Sequence, residues 1–373
     1  MSQVSSKTQP PRPSETAGLH SFPCAHCGAK LEYQPGTETL HCPYCGSENV
    51  IPKPAGRVEE LDFREQIARL EKEAPRFERD VVKCQACAAT IDKPGNVTSL
   101  SCPFCGSNIV ATSHVATDIL PGAVLPFAVP KNKAIDKFRE WIRSRWFAPN
   151  ALKRESYLDA SVNGTYLPAW TYDAETFTQY SGERGDAYYV TETYTVNGRT
   201  ETREVRRIRW TSVAGNVNNS FDDVLVMATR SLPVHRLDEL QPWDLPKLEP
   251  YTDEYLAGFR AECYTITLPQ GFDLAKGLMR PTIESTIRSD IGGDEQRIEY
   301  MSTRYDAVTY KHILLPVWIS AYRFNNKVYQ FLVNARSGEV TGERPYSPIK
   351  ITLFVLTILA LVAIFVLIAR SHS

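Results

Sequence analysis

The sequence lacks the short motifs that bind nucleotides or carry out common hydrolytic reactions. It contains no GxxxxGK[ST] loop, no HExxH, no GxSxG and no glycine-rich dinucleotide loop. Each of these motifs places backbone amides, metal ligands or a nucleophile in a fixed geometry. The sequence therefore gives no support for the reactions that depend on them. We therefore predict that the protein is not an enzyme, and we assign no catalytic or cofactor-binding residue.

The chain also lacks an excess of positive charge. Its formal net charge is −1, and residues 20–112 hold ten Lys and Arg against twelve Asp and Glu. Contacts to a phosphate backbone need a basic footprint, so nucleic-acid binding is disfavoured. One small basic group lies on a predicted strand, and we interpret it as a solvated face, near anionic lipid at most: Arg203, Arg206, Arg207 and Arg209.

The first twenty residues lack an apolar run. They are rich in Pro, Ser and Thr, which predicts a disordered segment over residues 1–20 rather than a signal peptide.

Eight of the nine cysteines fall into two sets with the same spacing. Each set has two CxxC pairs with fourteen residues between them, and the second pair of each reads CPxCGS. The sets are Cys24, Cys27, Cys42 and Cys45, and Cys84, Cys87, Cys102 and Cys105.

Two CxxC pairs at this spacing predict a four-cysteine zinc site. The alternatives are disulfides or a thioredoxin-like redox motif, but the latter does not come in two spaced pairs and needs a βαβ context. We therefore predict two Zn²⁺ per chain, in zinc ribbons at residues 21–53 and 81–112, whose folding depends on the metal. His26 and His41 lie near the first set, and we interpret them as loop residues because four sulfurs fill the shell. Cys263 is predicted to be a buried apolar residue.

One long apolar run lies near the C-terminus. Residues 351–369 carry no charge, and as a helix they extend about 28 Å, close to the thickness of a hydrocarbon core. This predicts a single transmembrane helix over residues 350–370 and a tail-anchored protein. Zinc-binding thiolates need a reducing compartment, so the bulk of the chain is expected to face the cytoplasm.

Residues 54–80 are predicted to form an amphipathic helical linker. Phe63, Ile67, Leu70, Ala74 and Phe77 follow one another at helical spacing, and the helix is expected to be interrupted near Pro75. We favour a spacer that packs on the ribbons over a helix that binds a partner.

Residues 113–348 are predicted to form a β-rich α+β body. Helices are expected over 131–147 and 270–291, the second with Phe272, Ala275, Met279, Ile283 and Ile287 buried. Turns at Asn197-Gly198 and Asn325-Asn326 predict two hairpins, and another turn is expected at Ser337-Gly338.

Two stretches of the body resemble each other. "YLPAWTYDAE" leads to "YSGERG", and "LLPVWISAYR" leads to "VTGERP". The echo predicts two related units, each a helix on an antiparallel sheet, with Trp170 and Trp318 in the core. The acidic pairs Asp222-Asp223 and Asp294-Glu295 are interpreted as loop or helix-cap residues.

Several long stretches, among them "FREWIRSRWFAP", "YLPAWTYDAET" and "KHILLPVWISAYRFNNKVYQFLVNARSGEVTGERPYS", resemble a bacterial family of membrane-anchored tandem zinc-ribbon proteins. The resemblance runs from about residue 20 to the C-terminus. Members often carry the name "primosomal protein N′ (replication factor Y), superfamily II helicase". Some relatives resemble components associated with phage-shock-protein-A homologues and flotillin-like SPFH proteins, which implies a role in membrane stress or organisation at the bacterial inner membrane.

The helicase part of that name does not fit the residues. "GGDEQR" at 292–297 resembles a DExx box, but without a phosphate loop it carries no motor function. The expected function is therefore a non-enzymatic adaptor at the cytoplasmic face of the membrane. The alternative is a nucleic-acid-binding protein related to replication restart, without a motor of its own.

Overall fold

The structure is a computed structural model that describes residues 22–52, 56–72, 77–83, 90–92, 100–102, 108–109, 113–117, 119–154, 162–196, 199–325 and 327–371. The predicted disordered residues 1–20 lie outside this part of the chain.

The N-terminal part consists of short strands and one helix. They are β1 (Glu32–Tyr33), β2 (Thr39–His41), β3 (Glu48–Val50), β4 (Leu61–Asp62), α1 (Phe63–Lys72), β5 (Phe77–Lys83), β6 (Thr90–Asp92), β7 (Leu100–Ser101), β8 (Asn108–Ile109) and β9 (Ser113–Thr117).

The body and the C-terminal helix follow. Their elements are β10 (Ala123–Val124), α2 (Lys131–Ser144), α3 (Asn150–Arg154), β11 (Asn163–Val196), β12 (Arg199–Met227), α4 (Val234–Asp238), β13 (Glu249–Pro250), β14 (Arg260–Ala261), α5 (Leu268–Ile291), β15 (Glu295–Phe324), β16 (Lys327–Asn334), β17 (Val340–Gly342) and α6 (Pro348–Ser371). Two short 3₁₀ helices cover Leu245–Lys247 and Asp253–Leu256.

These elements confirm the α+β class. The body is built on one sheet whose central order is β12-β11-β15-β10-β13, joined by β4, β14, β16 and β17. The first ribbon has its own sheet of β1, β2 and β3, and α6 is a C-terminal apolar helix long enough to cross a membrane.

The predicted hairpins are confirmed. Val196 pairs with Arg199, and Phe324 pairs with Lys327, so each hairpin closes with two residues. Asn325 has φ +47°, which suits a two-residue turn, whereas Asn197, Gly198 and Asn326 lie outside the described residues. The turn at Gly338, with φ +83°, leads from β16 into β17.

The two body helices are close to their predicted positions. The five residues of the predicted α5 stripe are all buried. In α2, Ala134, Ile135, Phe138 and Ile142 are buried, but the helix stops before Arg145 and is three residues shorter than the predicted 131–147. The helix ends there because Arg145 adopts an extended backbone conformation.

The predicted linker helix is too long. Helix α1 ends at Lys72, and Phe77 begins a strand that pairs with β9, so Phe77 belongs to no helical stripe. Phe63, Ile67 and Leu70 pack against the body core, where the Phe63 ring contacts Phe272 of α5. The helix is therefore a part of the body surface.

The two LPxW stretches pair with each other at the centre of the sheet. Leu167 faces Leu315, Tyr166 faces Pro316, and Pro168 faces Leu314 in antiparallel register. Exchanging each residue for its equivalent in the other stretch gives the same set of pairs. A local two-fold axis therefore passes between Leu167 and Leu315.

Hydrogen bonds around this axis come in matching pairs. The indole Nε1 of Trp170 donates to the carbonyl oxygen of Ile266 at 2.9 Å, and that of Trp318 donates to Val129 at 2.7 Å. Ile266 and Val129 each lie two residues before the first residue of a helix, α5 and α2 respectively. Both indoles are buried, so each bond fixes the start of a helix.

The flanking strands follow the same symmetry. Strand β10 runs parallel to β15, and β14 runs parallel to β11. Where β16 and β12 end, the amide of Ala335 donates to Pro316 at 3.0 Å, and that of Ala228 donates to Pro168 at 2.9 Å.

The body is thus a pair of βαββ units, β10-α2-β11-β12 and β14-α5-β15-β16. This confirms the predicted internal relation but changes its form, because the units share one sheet and exchange their first strands.

Hydrophobic residues cover both faces of this sheet. Helices α2 and α5 pack on one face over Trp318 and Trp170, whereas Leu167 and Leu315 point to the other face. Residues 232–248 cover that second face. The two tryptophans are core residues, as predicted.

The contact of α5 with the sheet leaves no space at Gly271. A Cβ there would lie 2.4 Å from the Tyr172 hydroxyl and 2.8 Å from Trp170 Cδ1, and both side chains are fully buried. We predict that Gly271→Ala lowers the free energy of unfolding by about 1–3 kcal/mol through overpacking.

Gly277 on the exposed side of the same helix provides the control. A Cβ there meets nothing within 4 Å, so Gly277→Ala should raise stability by up to about 1 kcal/mol. Urea denaturation of the full chain in detergent measures both, and equal effects would contradict the packing described here.

Candidate metal centre

The first ribbon consists of two turns with the same backbone geometry. The amide of Gly28 donates to the Cys24 carbonyl at 2.9 Å, and the amide of Gly46 donates to the Cys42 carbonyl at 3.0 Å. Both glycines have φ +73°, a conformation that costs L-residues energy, although a side chain would meet no atom within 4 Å. The CxxCG pattern thus folds into a knuckle twice.

The two knuckles bring four sulfurs together. All four Sγ atoms of Cys24, Cys27, Cys42 and Cys45 lie within 4.8 Å of one another. Cys24 and Cys45 are 3.6 Å apart, and Cys27 and Cys42 are 3.5 Å apart. A tetrahedral ZnS₄ centre with bonds near 2.3 Å has sulfurs about 3.8 Å apart, so the four side chains fit such an ion.

The hydrogen bonds of the site favour thiolates. The Ser47 hydroxyl lies 3.0 Å from Cys24 Sγ and 3.1 Å from Cys45 Sγ. It lowers the pKa of Cys24 to about 5 and also lowers that of Cys45.

Not every thiol of the cluster can ionise without a cation. A hydrogen bond from Ala29 lowers the pKa of Cys27, but the neighbouring thiols of Cys42 and Cys45 raise it to about 12. Four thiolates at this separation therefore need a bound cation, as a metal centre provides.

The histidines near the site are not part of the sulfur cluster. His26 is exposed and His41 lies on β2, and the metal-type group at this position contains the four cysteines alone among the described residues.

One cysteine of the second set lies in the described part of the chain. Cys102 is buried, in a cluster with Leu125, Leu167 and Ile313, whereas Cys84, Cys87 and Cys105 lie outside the described residues. A second four-cysteine site remains a prediction. Cys263 is buried, as expected.

The first ribbon is docked on the body. The Tyr33 amide donates to Ala257 at 2.8 Å, and its hydroxyl lies 3.3 Å from the carbonyl oxygen of Phe127. Its ring contacts those of Tyr255 and Phe259 at 5.4 and 6.0 Å between centroids. Its side chain is buried, and burial raises its pKa above the usual range. The ribbon therefore shares the body core.

A buried polar group breaks the internal symmetry. The two-fold relation places Glu262 where the other unit has Leu125, and His312 where it has Gly164. Both side chains are buried and line one small cavity. Glu262 accepts hydrogen bonds from Thr229 and Ser231, and burial raises its pKa to about 7. No sequence pattern indicated this site, because the two similar stretches begin after Gly164 and His312 in the chain.

The acidic pairs were expected in loops or helix caps, but Asp222 and Asp223 lie in β12 and Glu295 begins β15, so only Asp294 is a loop residue. Asp294 accepts a hydrogen bond from the Ala187 amide at 2.7 Å, and Glu295 contacts Arg206 at 2.7 Å. Asp223 lies 2.7 Å from the Lys311 ammonium.

The Lys311 ammonium also lies close to a second group of carboxylates. It lies 3.0 Å from Glu60 and 3.9 Å from Asp173, and these two carboxylates form a close set with Asp222. The buried lysine places one positive charge beside these carboxylates.

The basic residues of the long hairpin are mostly paired. Arg203 and Arg207 contact Glu192 at 3.3 and 2.6 Å, and Arg206 contacts Glu295. Arg209 stacks over Tyr188. Three of these four arginines thus pair with two carboxylates, which compensate half of the positive charge that the strand could offer to phosphates.

The chain is similar to a Bacillus subtilis (strain 168) protein described as "Uncharacterized protein YdjG". The two are 26% identical over 334 residues, which covers 88% of this chain and 90% of that protein. No protein-family model matches the chain, and no solved structure matches it. The likeness extends over most of both chains, and the name of the relative gives no activity.

The sulfur geometry predicts a metal count. Cys42→Ser should release one thiolate-bound metal per chain, because the remaining three sulfurs cannot close a tetrahedral shell. Cys263→Ser, which removes a buried cysteine outside the cluster, is the matched control and should release none. Elemental analysis of the full chain purified under reducing conditions measures both, and an unchanged count in Cys42→Ser would rule out this site.

The raised pKa of Glu262 predicts a dependence of stability on pH. The folded state holds the carboxyl proton up to about pH 7, whereas the unfolded state loses it near 4.3. The free energy of unfolding is therefore highest below the pKa that Glu262 has in the unfolded chain. It falls by up to about 3 kcal/mol as the pH rises through 7.

Glu262→Gln should remove this decline while keeping an acceptor for Thr229 and Ser231. Glu71→Gln, an exposed carboxyl on α1, should leave it unchanged. Thermal unfolding of the full chain at several pH values distinguishes them, and a decline that persists in Glu262→Gln refutes the assignment.

Proposed function

We propose that this protein is a non-enzymatic adaptor anchored in the bacterial cytoplasmic membrane, with its ribbons and body facing the cytoplasm. One observation supports this most strongly: the cysteine cluster and the base of the apolar helix are attached to the same rigid core. Ribbon residues, α2 and β16 share one hydrophobic cluster, and the loop after α2 bonds to the start of α6. A partner bound at the ribbons would thus be held at a fixed distance from the bilayer.

Zinc is the metal we propose for the ribbons, at two ions per chain. Four thiolates in a tetrahedral arrangement suit Zn²⁺, and a reducing cytoplasm keeps them free of disulfides. The repeated spacing of the second set supports the second ion.

The proposed partners are membrane-organising proteins. The resemblance to tandem zinc-ribbon membrane proteins points to phage-shock-protein-A-like or SPFH proteins. The ribbon surface offers exposed Tyr44 and Val50 for such contacts, at 89% and 78% exposure.

The alternative is a nucleic-acid-binding protein of replication restart. It is disfavoured because three of the four arginines on the long hairpin pair with carboxylates.

Co-purification from native membranes and DNA binding together test the adaptor role. We expect the cross-linked full chain to retain a membrane-associated protein that Cys42→Ser loses, because the ribbon surface requires the metal. The Cys263→Ser chain should retain it.

DNA binding by the same preparations should be weak and should collapse between about 50 and 200 mM salt. Sub-micromolar DNA binding at physiological salt that disappears when zinc is removed would overturn the adaptor proposal in favour of the alternative.

A further inference from the structure

The first turns of α6 are fixed to the body without a flexible linker. The Lys350 ammonium donates to the carbonyl oxygens of Trp146 and Ala148 at 3.0 and 2.8 Å, and to Asn150 Oδ1 at 2.7 Å. The Ser347 amide donates to the Phe147 carbonyl at 2.8 Å. The loop after α2 therefore lies at the level where the apolar helix begins.

Aromatic side chains surround this junction. Phe147 contacts Phe354, one and a half turns into α6, with 5.4 Å between ring centroids, and Trp146 contacts the same ring at 6.2 Å. Trp146 and Tyr346 are 59% and 57% exposed. Exposed Trp and Tyr at the end of an apolar helix are typical of the membrane–water interface.

Two arginines complete the junction. Arg145 and Arg344 both stack on Trp141, at 5.0 and 5.8 Å from its ring centre, and Arg344 also stacks on Tyr346. Neither has a carboxylate within ion-pair distance in the described part of the chain, and the Nε atoms of both lack a hydrogen-bond partner there. The guanidinium groups are thus held in place by rings, not neutralised by acids.

We propose that these residues, Arg145, Trp146, Phe147, Arg344, Tyr346 and Lys350, form a collar that seats the body on a bilayer surface and binds anionic phospholipid headgroups. Guanidinium groups match phosphate geometry, and each basic residue near an anionic surface strengthens binding. The collar is continuous with α6, which commits it to lipid. This inference rests on the proposed anchoring of α6.

The collar also adds positive charge on the body side of the apolar helix. Along the sequence, the basic residues next to the apolar run are Arg344 and Lys350 on one side and Arg370 on the other. The fold adds Arg145 to the body side through the loop after α2. The larger positive charge therefore lies with the body, in agreement with a cytoplasmic body.

Lipid selectivity of the reconstituted full chain tests the collar. The chain is placed in phosphatidylcholine vesicles that contain phosphatidylglycerol, and tryptophan quenching by brominated phosphatidylglycerol is compared with quenching by brominated phosphatidylcholine. We expect the anionic lipid to quench more. The double variant Arg145→Gln/Arg344→Gln should reduce this preference about fivefold for each charge lost.

Two further variants control for charge and folding. Arg145→Lys/Arg344→Lys keeps both charges and should keep most of the preference. Arg203→Gln/Arg207→Gln removes the same charge from the distant hairpin and should leave the preference unchanged. Equal quenching by both lipids in the unmodified chain, or equal loss in all three variants, would overturn the collar.

Carbonate extraction of the same vesicles distinguishes this proposal from the anchoring on which it rests. Release of the unmodified chain by carbonate would refute the anchor. Retention without any lipid preference would refute the collar alone.

Discussion

The seating of Tyr33 in the body core is the contact on which the arrangement of the molecule depends. A four-cysteine ribbon is too small to bury much apolar surface, so it relies on its metal and on what it packs against. Here the Tyr33 ring enters an aromatic cluster with Tyr255 and Phe259, and its backbone bonds to Ala257. The same cluster contains α2, whose following loop holds the start of α6. The cysteine cluster and the body thus share one core, and the start of the apolar helix is bonded to a loop of that body.

The two βαββ units are related by internal symmetry and present equivalent helices on one face of the sheet, but different segments of the chain cover them. The ribbon packs beside α2, whereas α1 contacts α5. The polar substitutions at Glu262 and His312 lie in the second unit, where Leu125 and Gly164 stand in the first. The two halves thus share one backbone arrangement and differ in the segments that cover them and in these two buried polar side chains.

Local patterns in the sequence were sufficient for several elements of the body and for the cysteine cluster of the first ribbon. CxxCG spacing, the alternation around Asn197-Gly198 and the α5 stripe are all set by short-range geometry, and each is found where expected apart from the turn residues outside the described part. The docking of Tyr33, the exchange of β10 and β14, and the junction at Lys350 depend on contacts between residues 90 or more positions apart. Such contacts leave no periodic trace in a single sequence. The predicted linker helix is longer than α1 because Phe77 continues the apolar spacing of the helix but begins β5.

Hydrogen exchange of the full chain in membranes, with and without a metal chelator, tests the shared core most directly. The account predicts that metal removal speeds exchange in the ribbon and also in residues 251–259 and α2, which lose the support of Tyr33. The amides of α5 and of the distal β11–β12 hairpin should exchange as before. A change confined to residues 22–52 would show that the ribbon is an independent module, and it would contradict the account.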